Sequence, residues 1–353
     1  MQRLVPLPAR GDAAFVDALR RAWDDGDAVL PVDPRLPRPA AEALTRALRA
    51  GEPVEAGDAL VVATSGTTGE PKGAVLTHEA VAASAWAISR RLEVDPTADG
   101  WLACLPLAHV GGLSVVTRAL VTGTPLQVVP GPDPDAVAAA VAAGATRTSL
   151  VLTALRRLDT SPFRTVLLGG DAPPADVPPN VVTTYGLTET GSGVVYDGLP
   201  LDGVEVEVVD GQIHLRGPML LRAYRDGTDP KDDEGWLPTG DGGEIGADGR
   251  LVVAGRLADV IVTGGEKVWP VPVEAVLREH PGVADVAVVG RPDADWGARV
   301  VALVVPSDPA GPPTLDDLRA HVRARLAPYA APREVQLVSS LPRTALGKLR
   351  RGA

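Results

Sequence analysis

Residues 60–73 read Leu60-Val61-Val62-Ala63-Thr64-Ser65-Gly66-Thr67-Thr68-Gly69-Glu70-Pro71-Lys72-Gly73. The apolar part, 60–64, reads as a buried strand. The ten residues from Thr64 to Gly73 then supply three glycines, four hydroxyls and one lysine. Glycines let backbone N–H groups turn toward an anion, hydroxyls add donors, and the lysine adds charge; phosphate chemistry needs that combination. Two residues separate Gly69 from Lys72 and no helix opens on Gly-Lys-Ser/Thr, so this is not the loop of P-loop kinases and GTPases.

Outward from this loop, apolar strand-like runs alternate with helical ones. Residues 13–25 and 40–50 read as short amphipathic helices, the second stopped by Gly51, and 78–92 as a helix entered after Thr77. Strands are expected at 101–105, 125–129, 148–152, 165–168 and 181–184, with a helix at 135–144. This alternation implies parallel βαβ units and an α/β fold with covered sheets. After Pro200 come two hairpins, turning at Asp210-Gly211 and Asp248-Gly249. Beyond Asp259 a smaller α+β unit follows, with a helix near 272–279, strands at 283–289 and 299–305, a helix at 315–326 and a strand at 333–338. Thr314, with Asp317 three residues on, marks the start of the helix at 315–326. The expected boundary divides a large domain of parallel-rich sheets with a small β-rich subdomain (1–257) from a C-terminal domain (258–353).

A length of 353 residues suggests two or three domains, and 45% hydrophobic with 22% charged residues is an ordinary globular balance. The net charge of −11 counts against nucleic acid and against an anionic membrane surface as partners. Cys104 is the only cysteine, which excludes an intrachain disulfide and suggests a reducing compartment. No run approaches the roughly 18 to 20 apolar residues of a membrane span, and no signal peptide is evident, so a cytoplasmic protein is expected. A homo-oligomer is left open. Of 34 basic residues only Lys72, Lys231, Lys267 and Lys348 are lysine, so each invites the question why arginine would not serve.

Five motifs stand in order: 64–73, LPLAHVGGL (105–113), TYGLTET (184–190), TGD (239–241) with GRLADVIVTGGEKV (255–268), and LPRTALGKLRR (341–351). Together they resemble the adenylate-forming superfamily of acyl-CoA synthetases, luciferases and peptide-synthetase adenylation domains. The resemblance implies ATP, Mg²⁺ and coenzyme A as cofactor and substrates. It assigns the nucleotide phosphates to Thr64, Ser65, Gly66, Thr67, Thr68, Gly69 and Lys72. Tyr185, within Thr184-Tyr185-Gly186, offers an aromatic face to adenine; Thr188 would bond the α-phosphate and Glu189 would hold Mg²⁺. Gly169-Gly170-Asp171 would line the adenine pocket, Asp241 would accept the ribose hydroxyls, and Arg256 would assist there. Lys348 would contact the reacting carboxylate and the leaving phosphate. Rotation of a mobile C-terminal domain about Ala258 and Asp259 would then admit coenzyme A past Gly264-Gly265. Relatives often carry aspartate where Ala258 stands.

At finer grain, 105–120, 148–158, 167–174 and 264–270 resemble the o-succinylbenzoate–CoA ligases of menaquinone biosynthesis, and 196–208 their short actinobacterial form. Arg118 is the one formal charge in residues 100–132. It either pairs with an acidic residue, lies on an exposed helix face, or binds a second substrate carboxylate; the resemblance implies the last. His109 and Gly111 would line the acyl pocket, Gly111 standing where relatives often have serine and Ala108 where they often have an aromatic. The segment before the phosphate loop is shorter than in most of the superfamily. A ligase for another aryl or fatty acid is the nearest rival, and an inactive nucleotide-binding regulator the rival of a different class.

Overall fold

The structure is a computed structural model that describes residues 2–64, 71–174 and 176–341. The chain forms two compact units, one comprising the residues up to Glu207 with His214–Pro238, the other Val208–Ile213 with the chain from Thr239 on.

The first unit is built on two sheets. One runs in the order Leu4–Pro8, Ala28–Val32, Asp58–Thr64, Lys72–Thr77, Ala223–Tyr224; the first three strands are parallel and the last two join antiparallel. The other runs Leu199–Pro200, Gly193–Tyr196, Val181–Gly186, Thr165–Leu168, Arg147–Leu150, Trp101–Ala103, Leu126–Val128. Its five strands from Val181–Gly186 to Leu126–Val128 are parallel, as the alternating pattern predicts. Two of the unit's helices begin where a short polar side chain takes an orphan N–H: Asp12 accepts from Phe15 and Thr77 from Ala80. Helices His78–Arg91 and Val110–Thr122 pack on each other. The core is aliphatic, with Leu30, Val61, Leu102 and Val166 fully buried.

Polar burial in this unit is paired at the ends of the second sheet. Asp99 meets Arg147 at 3.0 Å with side chains 0% and 3% exposed. Burial pushes the Asp99 carboxyl up, but bonds from Arg147, the Asp95 N–H and the Thr146 hydroxyl outweigh it and hold the group below its ordinary value.

A four-stranded sheet, Glu205–Val209, Gln212–Arg216, Leu237–Ile245, Leu251–Arg256, contains both expected hairpins, and the division between the units runs through its strands. Farther on, the second unit has a five-stranded sheet. Glu266–Val268, Ile261–Thr263, Gly297–Pro306 and Val283–Asp293 follow in order, and Glu334–Leu337 pairs parallel to Gly297–Pro306. Helices Pro270–Arg278 and Leu315–Arg323 bury Val273, Leu277, Leu318 and Val322 in its core. Thr314 and Asp317 form the predicted reciprocal cap. The strands expected at 283–289 and 299–305 extend further, to Asp293 opposite Gly297, because Asp293 caps the turn by accepting from the Asp295 and Trp296 N–H groups. Among the described residues no helix is long and apolar enough to cross a membrane.

Candidate active site

Thr64 and Lys72, on either side of the glycine- and hydroxyl-rich residues, are paired residues of antiparallel strands. Ser65, Gly66, Thr67, Thr68 and Gly69 lie outside the described residues, as does Lys348. Gly73 has no room for a side chain, since a Cβ there would stand 2.6 Å from Val61 Cγ1. The Lys72 ammonium sits 4.9 Å from the centroid of the Tyr224 ring, and the Tyr224 hydroxyl donates to Glu189 Oε1 at 2.9 Å. Burial, and then the Glu189 charge beside it, push the Tyr224 phenol upward, so it stays a donor. Two motifs more than a hundred residues apart in sequence thus meet through a tyrosine that belongs to neither.

Glu189 lies on a single 3-10 turn, Thr188–Thr190, that follows the strand Val181–Gly186. The buried Thr190 hydroxyl organises this turn, accepting from the Leu187 N–H at 2.8 Å and donating to the Ser192 carbonyl at 2.6 Å. Gly186 is sterically obligatory: a Cβ would meet the Ser192 oxygen at 2.2 Å. Tyr185 is half-buried just before it and Thr188 half-buried just after. Thr184 donates to the Leu168 carbonyl at 3.2 Å and crowds Gly169, where a Cβ would lie 2.7 Å from Thr184 Oγ1. Gly169, Gly170 and Asp171 therefore lie beside the TYGLTET strand, with Gly170 at φ +90° and Asp171 exposed.

Arg118 is not on an exposed helix face, which corrects one of the three readings open to it: it is 1% exposed. Its guanidinium stacks 4.4 Å over the Trp101 ring, and its one side-chain hydrogen bond among the described residues, from Nη2 to Ser192 Oγ, is long at 3.4 Å. Nε and Nη1 have no partner among the described residues, and no carboxylate among them pairs with it. Burial lowers its affinity for the proton and pushes the neighbouring Tyr196 phenol up to about 12, the Arg118 charge working against the latter shift. Arg118 lines a narrow cavity of about 10 Å³ with Ser84, Val110, Ser114, Gly191 and Met219, between helices His78–Arg91 and Val110–Thr122. That is room for about one water. His109, half-buried, is the residue before helix Val110–Thr122, and Gly111 is exposed in its first turn with space for a side chain. The glycine that the packing demands is Gly112, whose Cβ would stand 2.4 Å from the Leu105 carbonyl oxygen.

In the second unit Asp241 and Arg256 are directly opposite on paired strands, and Arg256 Nε meets Asp241 Oδ1 at 2.9 Å. Thr239 Oγ1 accepts from the Asp241 N–H, fixing the buried aspartate at the strand. Ala258 and Asp259 lie on the 3-10 turn Leu257–Asp259, Ala258 exposed. Gly264 and Gly265, at φ +60° and +86°, form a two-residue hairpin turn, and a Cβ on Gly264 would strike the Trp296 ring at 2.6 Å.

Sequence reasoning gave no role to Tyr224, to Thr190 or to Lys231, although it singled out the last as one of four lysines. Lys231 Nζ donates to the Leu221 and Arg222 carbonyls, each at 2.9 Å, and to Asp229 Oδ1 at 2.7 Å, securing the segment that ends at Tyr224. The scarcity of lysine was the available signal. Mg²⁺ takes oxygen ligands, commonly one or two carboxylates plus substrate phosphates. Glu189, oriented by a hydroxyl and standing near Lys72, suits it; among the described residues no group of three or more His, Cys, Asp or Glu could hold a metal alone.

The sequence profile of the AMP-binding enzymes matches residues 13–225, and that of the AMP-binding enzyme C-terminal domain matches 272–348. The chain is 41% identical to the probable 2-succinylbenzoate–CoA ligase of Mycobacterium tuberculosis, over 99% of this chain and 97% of that protein. It is 34% identical to the 2-succinylbenzoate–CoA ligase of Listeria monocytogenes, over 83% of this chain and 68% of that one. Its fold superposes on o-succinylbenzoate–CoA synthetase from Bacillus subtilis, solved with its acyl-adenylate intermediate, with TM-score 0.77 and 28% identity over 99% of this chain and 82% of the other. An adenylate-forming architecture, both profiles and matches spanning nearly its whole length place the chain in the AMP-binding enzymes, in the family of 2-succinylbenzoate–CoA ligases.

Proposed function

We propose that the acid this ATP-dependent acid–CoA ligase activates is o-succinylbenzoate, held through its second carboxylate by Arg118. In the first half-reaction a carboxylate oxygen attacks the α-phosphorus, the bond to the β-phosphate breaks, and pyrophosphate leaves. In the second, the thiolate of coenzyme A attacks the acyl carbonyl and AMP leaves. The first step concentrates negative charge on phosphates, and fixed cations and donors there lower the barrier most. Lys72 and Lys348 would supply that charge, Thr188 a donor to the α-phosphate, and Asp241, braced by Arg256, the ribose contact. Mg²⁺, held by Glu189 and the phosphates, would offset charge on the nucleotide. His109 would face the reacting carboxylate. The turn at Ala258-Asp259 is the proposed hinge for exchanging Lys348 against the pantetheine arm, which would pass Gly264-Gly265. A cytoplasmic location goes with this reading, because its substrates ATP and coenzyme A are there.

The observation that supports o-succinylbenzoate over a fatty or monocarboxylic aryl acid is the Arg118 guanidinium. It is buried beside a cavity with two nitrogens lacking partners among the described residues, an arrangement that costs stability unless a ligand anion repays it. Pyrophosphate release measured across o-succinylbenzoate, benzoate and medium-chain fatty acids tests the choice; equal rates with benzoate would remove it. Lys348→Ala should nearly abolish acyl-adenylate formation yet spare thioester formation from supplied adenylate, and equal loss in both would contradict the role given to Lys348.

A further inference from the structure

We propose that Tyr224 is a positioning residue for Glu189: it is interposed between that carboxylate and Lys72, and is itself pinned in place through Lys231. The proposal rests on the reading of Glu189 as the Mg²⁺ carboxylate. A lysine and a glutamate brought to the same phosphate site tend to pair with each other, which would neutralise both. Here they do not pair. The Lys72 ammonium faces the Tyr224 ring, and Glu189 takes the hydroxyl at the far end of that ring. A carboxylate can accept at both oxygens, so a hydroxyl on Oε1 fixes the group's orientation and leaves the second oxygen for a cation.

Tyr224 can do this only if its own backbone is held, and the holding is dense. The short strand Ala223–Tyr224 pairs with Val75 and Ala74 of the strand that Lys72 opens. The Leu221 N–H donates to the Glu189 carbonyl at 2.7 Å, the Arg222 N–H to Val75 at 2.8 Å and the Arg225 N–H to Gly73 at 2.7 Å. The segment therefore joins the backbone of the glutamate's turn to the backbone next to the lysine. Behind it, the Lys231 ammonium binds two consecutive carbonyls of the segment and Asp229. Three acceptors around one point suit a compact ammonium with three rotatable donors, not a planar guanidinium.

Tyr224→Phe keeps the ring over Lys72 and removes only the hydroxyl. Binding of Mn²⁺ to the full-length enzyme with a non-hydrolysable ATP analogue, followed by electron paramagnetic resonance, should weaken about fivefold, the share of a charge-assisted hydrogen bond expressed in one state only. Pyrophosphate–ATP exchange should slow about as much, with KM for the acid unchanged and the melting temperature within about 2 °C of wild type. Lys231→Met, which loosens the segment from behind, should weaken Mn²⁺ binding in the same direction while also lowering the melting temperature. If Tyr224→Phe and Lys231→Met both bind Mn²⁺ like wild type while Glu189→Gln does not, Tyr224 is no positioning residue and the reading of Glu189 survives. If Glu189→Gln binds Mn²⁺ and exchanges like wild type, the reading of Glu189 fails and this proposal with it.

Discussion

Replacing Arg118 by methionine should make the protein more stable and a worse enzyme. The side chain is 1% exposed, Nε and Nη1 lack partners among the described residues, and the Ser192 contact is 3.4 Å long. A buried donor left unsatisfied costs roughly 1–3 kcal/mol, so two cost about 2–6 kcal/mol. The stack on Trp101 returns about 2 kcal/mol of this in a desolvated setting. Methionine fills similar volume without the charge, and the balance favours it by about 2 kcal/mol, inside the 1–4 kcal/mol seen when buried ionic groups give way to apolar ones. At about 2–4 °C per kcal/mol for a unit of this size, the melting temperature should rise by about 4–8 °C. The same change removes a buried, charge-assisted contact to the proposed second carboxylate, worth about 2–5 kcal/mol, so KM for o-succinylbenzoate should rise on the order of a hundredfold while KM for ATP holds. Calorimetry with steady-state pyrophosphate release reads both. A variant that melts several degrees lower with an unchanged KM would show that the cation serves the fold, and would refute the reasoning.

Asp99→Asn should cost about 3–5 kcal/mol at neutral pH, because it strands the buried Arg147, and urea unfolding will measure it. The Asp99 carboxyl is held below its ordinary value in the folded state, so its contribution is complete above about pH 4 and is lost as pH falls through the lower folded value. The gap between wild type and variant should therefore close in acid, and a gap that widens there would contradict the assignment. Gly186→Ala places a methyl 2.2 Å from a backbone oxygen that cannot yield, so it should cost about 1–3 kcal/mol and depress adenylation, with Tyr185 and Thr188 displaced on either side. Gly111→Ser is its control: the nearest atom is 3.6 Å away, and melting should stay within about 0.5 kcal/mol of wild type.

Much of the fold was legible because most of its parallel strands are apolar runs, such as Thr165–Leu168, and because helices such as His78–Arg91 and Leu315–Arg323 start at visible caps. The strands that escaped notice did so for physical reasons. Leu4–Pro8 carries Pro6 and Pro8, which argue against a strand, yet it is the edge of its sheet, where a missing N–H is tolerated. Pro31 is accommodated in Ala28–Val32 because only Val29 of that strand pairs with the next one, at Leu60. Lys72–Thr77 starts on the last two residues of the phosphate motif, which left only a short apolar run, Ala74-Val75-Leu76, outside it. The resemblance gave Asp241 and Arg256 a common ligand, but their direct pairing was not legible, since it is a register shift between Gly242 and Gly243 that sets the two residues opposite each other. Nor was Tyr224, because a two-residue strand leaves no period to read and its partner Glu189 is 35 residues away.

The rarity of lysine separates these two kinds of legibility. Composition says that each lysine is chosen against arginine, and Lys72 and Lys348 draw their meaning from motifs around them. Lys231 stands in no motif, and its three acceptors exist only once the turn at Asp229 folds back on Leu221 and Arg222. Lys267, by contrast, is exposed on its hairpin strand. Scarcity therefore marks where a point charge is wanted, but what surrounds that charge is a property of the chain's return path. For Lys231 that path leads, through one backbone hydrogen bond and one tyrosine, to the carboxylate on which the proposed phosphate chemistry depends.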